Sequence, residues 1–193
     1  DLTLTNPTTA RIEYPESMLD AFADPRSFTY APAPLGLTEA REAIARDCQR
    51  NGIKVAAARV VVTSSTSEAY SLLFKLLCEP TGDAVMVPVP SYPLFEHLTD
   101  LDGVRSIPYR LDLHGRWAVD FDTLDGGWTD GVRAVLAVSP NNPTGSMVTD
   151  SEMRDLAARC AKRDAALIVD EVFIDYQLSG TPAPMARAPE CLM

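Results

Sequence analysis

Continuous apolar runs, rather than strict alternation, dominate the hydrophobic pattern of this chain. Arg59-Val-Val-Val-Thr63, Val85-Met-Val-Pro-Val89, Val104 to Tyr109, Val132 to Val138 and Ala165 to Val169 each read as a short strand. Runs of that length without polar interruption suit strands buried on both faces. Helical spacing lies between them. From Thr38 to about Arg50, Leu37, Ala40, Ile44 and Cys48 share one face, with Thr38 as cap and Gly52 as stop. Ala69 to Cys78 is apolar on nearly every side and predicts a buried helix. Pro93 to Leu101 reads as another. Thr149-Asp-Ser-Glu152 is a capping box opening a helix with Met153, Leu156, Ala157, Cys160 and Ala161 at helical spacing. The alternation of strands and helices predicts an α/β fold of three layers around a mainly parallel sheet. Residues 1–36 are proline-rich, ending in Tyr30-Ala-Pro-Ala-Pro-Leu-Gly36, and predict an arm or loop ahead of a domain over 37–193. Leu111 to Gly131, rich in Asp and Gly, carries no clear signal.

Composition narrows the picture. With 193 residues and 46% hydrophobic content the chain can bury a core as one domain. Its 27 acidic against 17 basic residues give a net charge of -10, which disfavours nucleic acid or an anionic membrane as partner. No run reaches transmembrane length and the first residues lack a signal-peptide pattern, so a soluble, cytoplasmic protein is expected. Cys48, Cys78, Cys160 and Cys191 are widely spaced, which favours buried thiols over disulfides or zinc ligands. With only His97 and His114 present, a histidine metal site is not expected.

Four segments could carry chemistry. Ser139-Pro-Asn-Asn-Pro-Thr-Gly145 and Leu167-Ile-Val-Asp-Glu-Val172 each close an apolar strand. They put the amide of Asn142 and the carboxylate of Asp170 at strand carboxyl ends, where open α/β sheets bind ligands. A neutral polar contact beside a fixed negative charge suits a pyridine-like ring, because a buried anion favours the protonated nitrogen. Taken alone, the first segment is equally a turn and Asp170 equally a helix cap or metal ligand. Ser64-Ser-Thr-Ser67 lies between a strand and a helix, where amides and the helix dipole bind phosphate, although simple capping also explains it. Pro88-Val-Pro-Ser-Tyr-Pro93 projects Tyr92 from the rim, either onto a planar ligand or over the core. Neither GxxxxGK[ST] nor a strand-following GxGxxG is present, which argues against nucleotide binding.

In order and spacing these segments resemble the N-terminal part of the class I/II aminotransferases, fold type I enzymes dependent on pyridoxal 5'-phosphate (PLP). The resemblance runs from Asn6-Pro-Thr8 through Tyr30-x-Pro-x-Pro-x-Gly-Leu37 to Asp170-Glu-Val-Phe173. It implies an incomplete large domain like that of aspartate aminotransferase. It also implies that Ser65, Thr66 and Ser67 bind the cofactor phosphate and that Tyr92 stacks on the ring. Asn142 would contact the ring hydroxyl and the substrate carboxylate, Asp170 the pyridine nitrogen, and Tyr30 the phosphate of a neighbouring subunit in a homodimer. The implied activity is transamination between an α-amino acid and a 2-oxo acid. A PLP-dependent lyase or decarboxylase of the same fold, and a non-catalytic aminotransferase-like ligand-binding module, remain open. Phe173 stands where the family usually has a ring-hydroxyl tyrosine. The family's Schiff-base lysine lies downstream of Asp170, and Lys54, Lys75 and Lys162 match no such context. The expectation is therefore a fragment, inactive alone, whose sheet lacks strands between Arg59–Thr63 and Ala165–Val169.

Overall fold

The computed structural model describes residues 6–50, 52–176 and 191–192. They form two compact units, Asp1–Leu35 and Gly36–Met193. In the first, the expected irregular arm contains two 3-10 helices, Glu16–Ala23 and Pro25–Phe28. Proline is tolerated at a helix start because its missing N–H has no partner there anyway. Asp24 completes the second start by accepting from the Arg26 amide at 2.9 Å. Neither helix buries a residue.

The second unit begins with α1 (Thr38–Arg50). Thr38 is its first helical residue rather than the flanking cap, and Gly52 ends the turn beyond it at φ +81°. The expected apolar face of α1 is not buried: Leu37 and Ile44 are exposed. The expected strand Arg59–Thr63 does not form. Ala57–Arg59 is a 3-10 turn, followed by backbone with no ladder among the described residues. That segment is held instead by Arg41, whose Nε donates to the Val60 carbonyl at 2.8 Å, and by Gly36. A Cβ on Gly36 would lie 2.6 Å from the Val62 Cβ, so only glycine allows this approach.

α2 (Thr66–Leu77) starts one turn earlier than expected and is not buried all round. Tyr70 and Phe74 face inward at i, i+4 while Leu72 and Leu76 are exposed. β1 (Ala84–Val89), α3 (Leu94–Leu101) and β2 (Arg105–Leu113) follow. The stretch without a sequence signal holds the end of β2, β3 (Trp117–Val119) and α4 (Phe121–Gly127). Its aspartates cap and solvate: Asp120 accepts from the amides of Asp122 and Thr123 at 3.0 and 3.1 Å. β4 (Val132–Val138), α5 (Asp150–Lys162), β5 (Ala166–Asp170) and a short β6 (Cys191–Leu192) complete the unit. The capping box forms as expected, and α5 buries Met153, Leu156, Ala157 and Cys160, but Ala161 is exposed.

The strands make one sheet in the order β3-β2-β1-β4-β5-β6. All pairs are parallel except β2 with β3. β6, not a free edge, lies beside β5. Alternate residues of the central strands point to opposite faces. Met86, Val135 and Leu167 pack with Leu124 of α4 and Leu156 of α5. Val85, Leu136 and Ile168 pack with Tyr70 and Phe74 of α2 and Phe95 of α3. The three-layer α/β architecture expected from the continuous apolar runs is present. Cys78 and Cys160 are buried and Cys48 half-buried, while the side chain of Cys191 lies outside the described residues. No described helix is long and apolar enough to cross a membrane.

Candidate active site

Because β1, β4 and β5 run parallel, their carboxyl ends form one rim. Tyr92 follows β1, Asn142 follows β4, and Asp170 is the last residue of β5. Val138 and Asp170 are register partners, and the Ser139 amide donates to the Asp170 carbonyl at 2.9 Å. α2 runs from this rim back to the start of β1, which brings its first turn, Ser65 to Ser67, to the same end. Tyr30 belongs to the first unit and is exposed.

Asp170 is half-buried and held at both oxygens. Oδ1 accepts from the Val172 amide at 2.9 Å, and Oδ2 accepts from the Tyr70 hydroxyl. Burial, reinforced by the Asp170 charge, pushes the Tyr70 phenol far above its ordinary range. Tyr70 is therefore a neutral donor at every ordinary pH.

Tyr92 is half-exposed and rests edge-on against Phe95, ring centroids 5.9 Å apart. Phe95 in turn meets Tyr70 edge-on at 5.2 Å. Such T-shaped contacts place a ring's positive edge on a neighbour's negative face. Tyr92, Phe95, Tyr70 and Asp170 thus form one continuous wall.

Asn142 is half-buried, and it is its neighbour that anchors the loop. Asn141 is buried, accepts from Ser91 Oγ at 2.6 Å, and donates through Nδ2 to the Pro90 carbonyl at 3.0 Å and to Thr144 Oγ1 at 2.8 Å. This side chain latches the loop after β4 to the loop after β1. The turn itself closes through the Gly145 amide, which donates to the Asn141 carbonyl at 2.7 Å with Gly145 at φ +67°. The Val89–Pro90, Ser139–Pro140 and Asn142–Pro143 bonds are cis.

At the α2 start, Ser65 is the cap, its Oγ accepting from the Glu68 amide at 3.1 Å. Thr66 and Ser67 are the first two helical residues, whose amides have no helical acceptor. Glu68 curls back, and its Oε2 accepts from the amide and hydroxyl of Ser64 at 2.6 and 2.8 Å. These bonds hold its carboxyl below the usual range. A carboxylate thus already engages one side of this turn.

Phe173 lies in the turn after Asp170, half-exposed against Tyr176. Two of the lysines stand apart from the rim. Lys75 and Lys162 occupy the last turns of α2 and α5, which run back to the amino ends of β1 and β5. Lys75 is engaged by Ser71 and by Asp102 at 2.5 Å.

Residues 3–191 match the family model described as aminotransferase class I and II. The chain belongs to this family. Its relatives agree: it is 33% identical over 149 residues to a valine–pyruvate aminotransferase of Mycobacterium tuberculosis, covering 77% of this chain and 38% of that protein. It is 29% identical over 145 residues to alanine aminotransferase 2 of Panicum miliaceum, covering 72% and 30%. Among solved structures, the alanine aminotransferase of Pyrococcus furiosus superposes with a TM-score of 0.77 at 29% identity, covering 88% of this chain and 44% of that one. The aspartate aminotransferase of Thermus thermophilus with maleate gives 0.80 at 27%, covering 89% and 44%. This aminotransferase-family chain spans between about a quarter and two fifths of the length of such curated relatives.

Sequence reasoning missed three residues of this candidate site: Tyr70, Phe95 and Asn141. The doublet Asn141-Asn142 and a lone hydroxyl-bearing aromatic in an apolar helix were the available signals. Neither identifies its partner.

Proposed function

We propose that this chain forms the cofactor-cradling part of a PLP-dependent aminotransferase acting on an α-amino acid and a 2-oxo acid. The observation that carries this reading is the carboxylate of Asp170, fixed at both oxygens on a rim shared with Tyr92, Asn142 and the start of α2. The donor set fits PLP chemically: an anion for the pyridine nitrogen, an aromatic face for the ring, an amide for its hydroxyl, and helix-start amides for the phosphate. The aminotransferase names of the relatives support transamination over other reactions of this fold. When bound, the protonated pyridine supplies an electron sink for the pair released as a bond to the amino acid's α-carbon breaks.

The chain's own residues divide the task. Asp170 holds the proton on the ring nitrogen by its charge. Tyr92, propped by Phe95, covers one ring face and excludes water from it. Asn142 orients the ring hydroxyl and the substrate carboxylate. Thr66 and Ser67 receive the phosphate on their amides. Proton transfer at the substrate needs a base that Lys75 and Lys162 do not supply from the last turns of α2 and α5. A homodimer in which Tyr30 serves the partner's phosphate follows from the same family reading.

The test is a calorimetric titration of the chain with pyridoxamine 5'-phosphate, which lacks the aldehyde and cannot label surface lysines. Saturable binding that Asp170→Ala abolishes is expected. Binding unchanged by Asp170→Ala, or no saturable binding, overturns the reading. In parallel, PLP with borohydride and peptide mapping is expected to leave Lys54, Lys75 and Lys162 without a preferred adduct.

A further inference from the structure

We propose that Tyr70 is the positioning residue of this site, pinning the Asp170 carboxylate so that one face stays presented to a cationic ring nitrogen. The inference rests on the cofactor reading above and adds a role that the contacting residues alone do not supply.

A carboxylate has about four acceptor positions, two on each oxygen. In Asp170 one on each oxygen is taken, by the Tyr70 hydroxyl and the Val172 amide. One on each oxygen remains. A pyridinium N–H needs a single acceptor, so the pinned group is satisfied by its scaffold and still able to bind.

The identity of the donor matters. An arginine or lysine at this place would neutralise Asp170 and compete with the ring for it. A phenol kept neutral by burial orients the carboxylate and leaves its charge for the ligand. Val172 donates from an exposed turn and can move with it, whereas Tyr70 is 5% exposed and seated in the core. Phe74 lies against its ring at 6.0 Å and Phe95 meets it edge-on, so its hydroxyl has little freedom. Phe95 also supports Tyr92. Tyr70 therefore fixes the nitrogen contact relative to the stacking face, a relation that sets how a planar ring can lie.

Tyr70→Phe removes only the hydroxyl and keeps the aromatic packing. Two readouts are taken on the 193-residue chain. The first is the hydroxyl proton of Tyr70 in tyrosine-labelled protein by NMR. A slowly exchanging, downfield resonance is expected, lost in Tyr70→Phe and exchange-broadened in Asp170→Ala. The second is the affinity for pyridoxamine 5'-phosphate and for inorganic phosphate. Tyr70→Phe is expected to weaken the pyridoxamine complex about tenfold, in line with a hydrogen bond to a charged group. Phosphate affinity is expected to stay the same, an outcome that general loosening of the fold would not give. No protected hydroxyl proton, equal pyridoxamine affinity in the two proteins, or parallel loss of phosphate affinity each overturns the proposal. A protected proton in a wild type that binds no pyridoxamine 5'-phosphate overturns the cofactor reading instead, the proton itself supporting the pin.

Discussion

Asn141 and Asn142 are adjacent in sequence, yet only truncation of Asn141 is expected to destabilise the chain. Asn141→Ala removes three hydrogen bonds, of 2.6, 3.0 and 2.8 Å, from a side chain that is 3% exposed. Each such neutral bond contributes about 1 kcal/mol net, and a buried acceptor left unpaired costs about 1–3 kcal/mol. The Thr144 hydroxyl keeps its bond to Ser146 Oγ at 2.7 Å, so it loses least. The Pro90 carbonyl and the Ser91 hydroxyl lose more. The sum is about 3 kcal/mol, or roughly 6–12 °C in Tm for a chain of this size. Asn142→Ala touches no such network, and its stability should stay within about 0.5 kcal/mol of wild type. Asn141→Asp grades the test. It keeps the acceptor for Ser91 but turns a carboxylate oxygen toward the Pro90 carbonyl, so it should fall at or below Asn141→Ala near neutral pH. Urea unfolding followed by far-UV circular dichroism measures all three, with the slope against urea expected to hold. Equal midpoints for Asn141→Ala and Asn142→Ala would refute the latch.

Three further predictions each concern one side chain. Burial pushes the Glu152 carboxyl up, but bonds from Thr149, Arg116 and the Val119 amide outweigh it and hold it below its usual 4.5. A depressed carboxyl stabilises above its unfolded value, and the contribution is lost as pH falls through the folded one. Glu152→Gln should therefore be less stable by about 1–3 kcal/mol at pH 7, with the gap closing below about pH 4.5 in acid-titrated melts. Glu68→Gln removes a charge from the turn that holds Ser64, so inorganic phosphate should bind a few-fold more tightly by calorimetry; weaker binding would mean that Glu68 organises the turn rather than opposing the anion. Tyr109→Phe deletes a buried bond of 2.6 Å to the Leu136 carbonyl and should cost about 1 kcal/mol in urea unfolding, with a far larger loss pointing to rearrangement of α5 over the sheet.

Much of the sheet was legible because fully buried strands carry their signal in composition. Val132 to Val138 and Ala165 to Val169 need no information from elsewhere to be read as central. Arg59–Thr63 carries the same signal and does not pair, because a strand is a relation between two segments and the apolar run reports only one. The stretch from Leu111 to Gly131 failed in the opposite direction. Its aspartates and glycines look like loop, yet Asp120 caps a helix and Gly127 ends one. At the site, Asp170 and Asn142 were legible because strand ends are predictable places. Tyr70 was not, since it meets Asp170 from one hundred residues away. Helical periodicity put it in the core beside Phe74 and gave no sign that a strand-end carboxylate faces it.

A pattern unites the residues that were found with those that were missed. The residues assigned to touch a ligand, Tyr92, Asn142 and Asp170, are half-exposed, while those beside them are buried: Asn141 at 3%, Phe95 at 2% and Tyr70 at 5%. Each buried residue lies in the next sequence position or the facing element, and spends its hydrogen bond or ring contact on the scaffold. The separation has a physical reason. A ligand contact must keep an acceptor position or a face unused to have something to offer, and a side chain so exposed is free to rotate unless a neighbour fixes it or the backbone beneath it. The buried neighbours supply that fixing, Asn141 through its bonds to Ser91, Pro90 and Thr144 and Tyr70 through its bond to Asp170. Substitutions at the contact residues should therefore move affinity with little effect on melting, and those at Asn141 and Phe95 should move both. Tyr70 stands between the classes, because its hydroxyl reaches the contact residue directly while its ring belongs to the core. Only its hydroxyl can be removed without disturbing the packing, which is why Tyr70→Phe separates position from stability and Asn141→Ala does not.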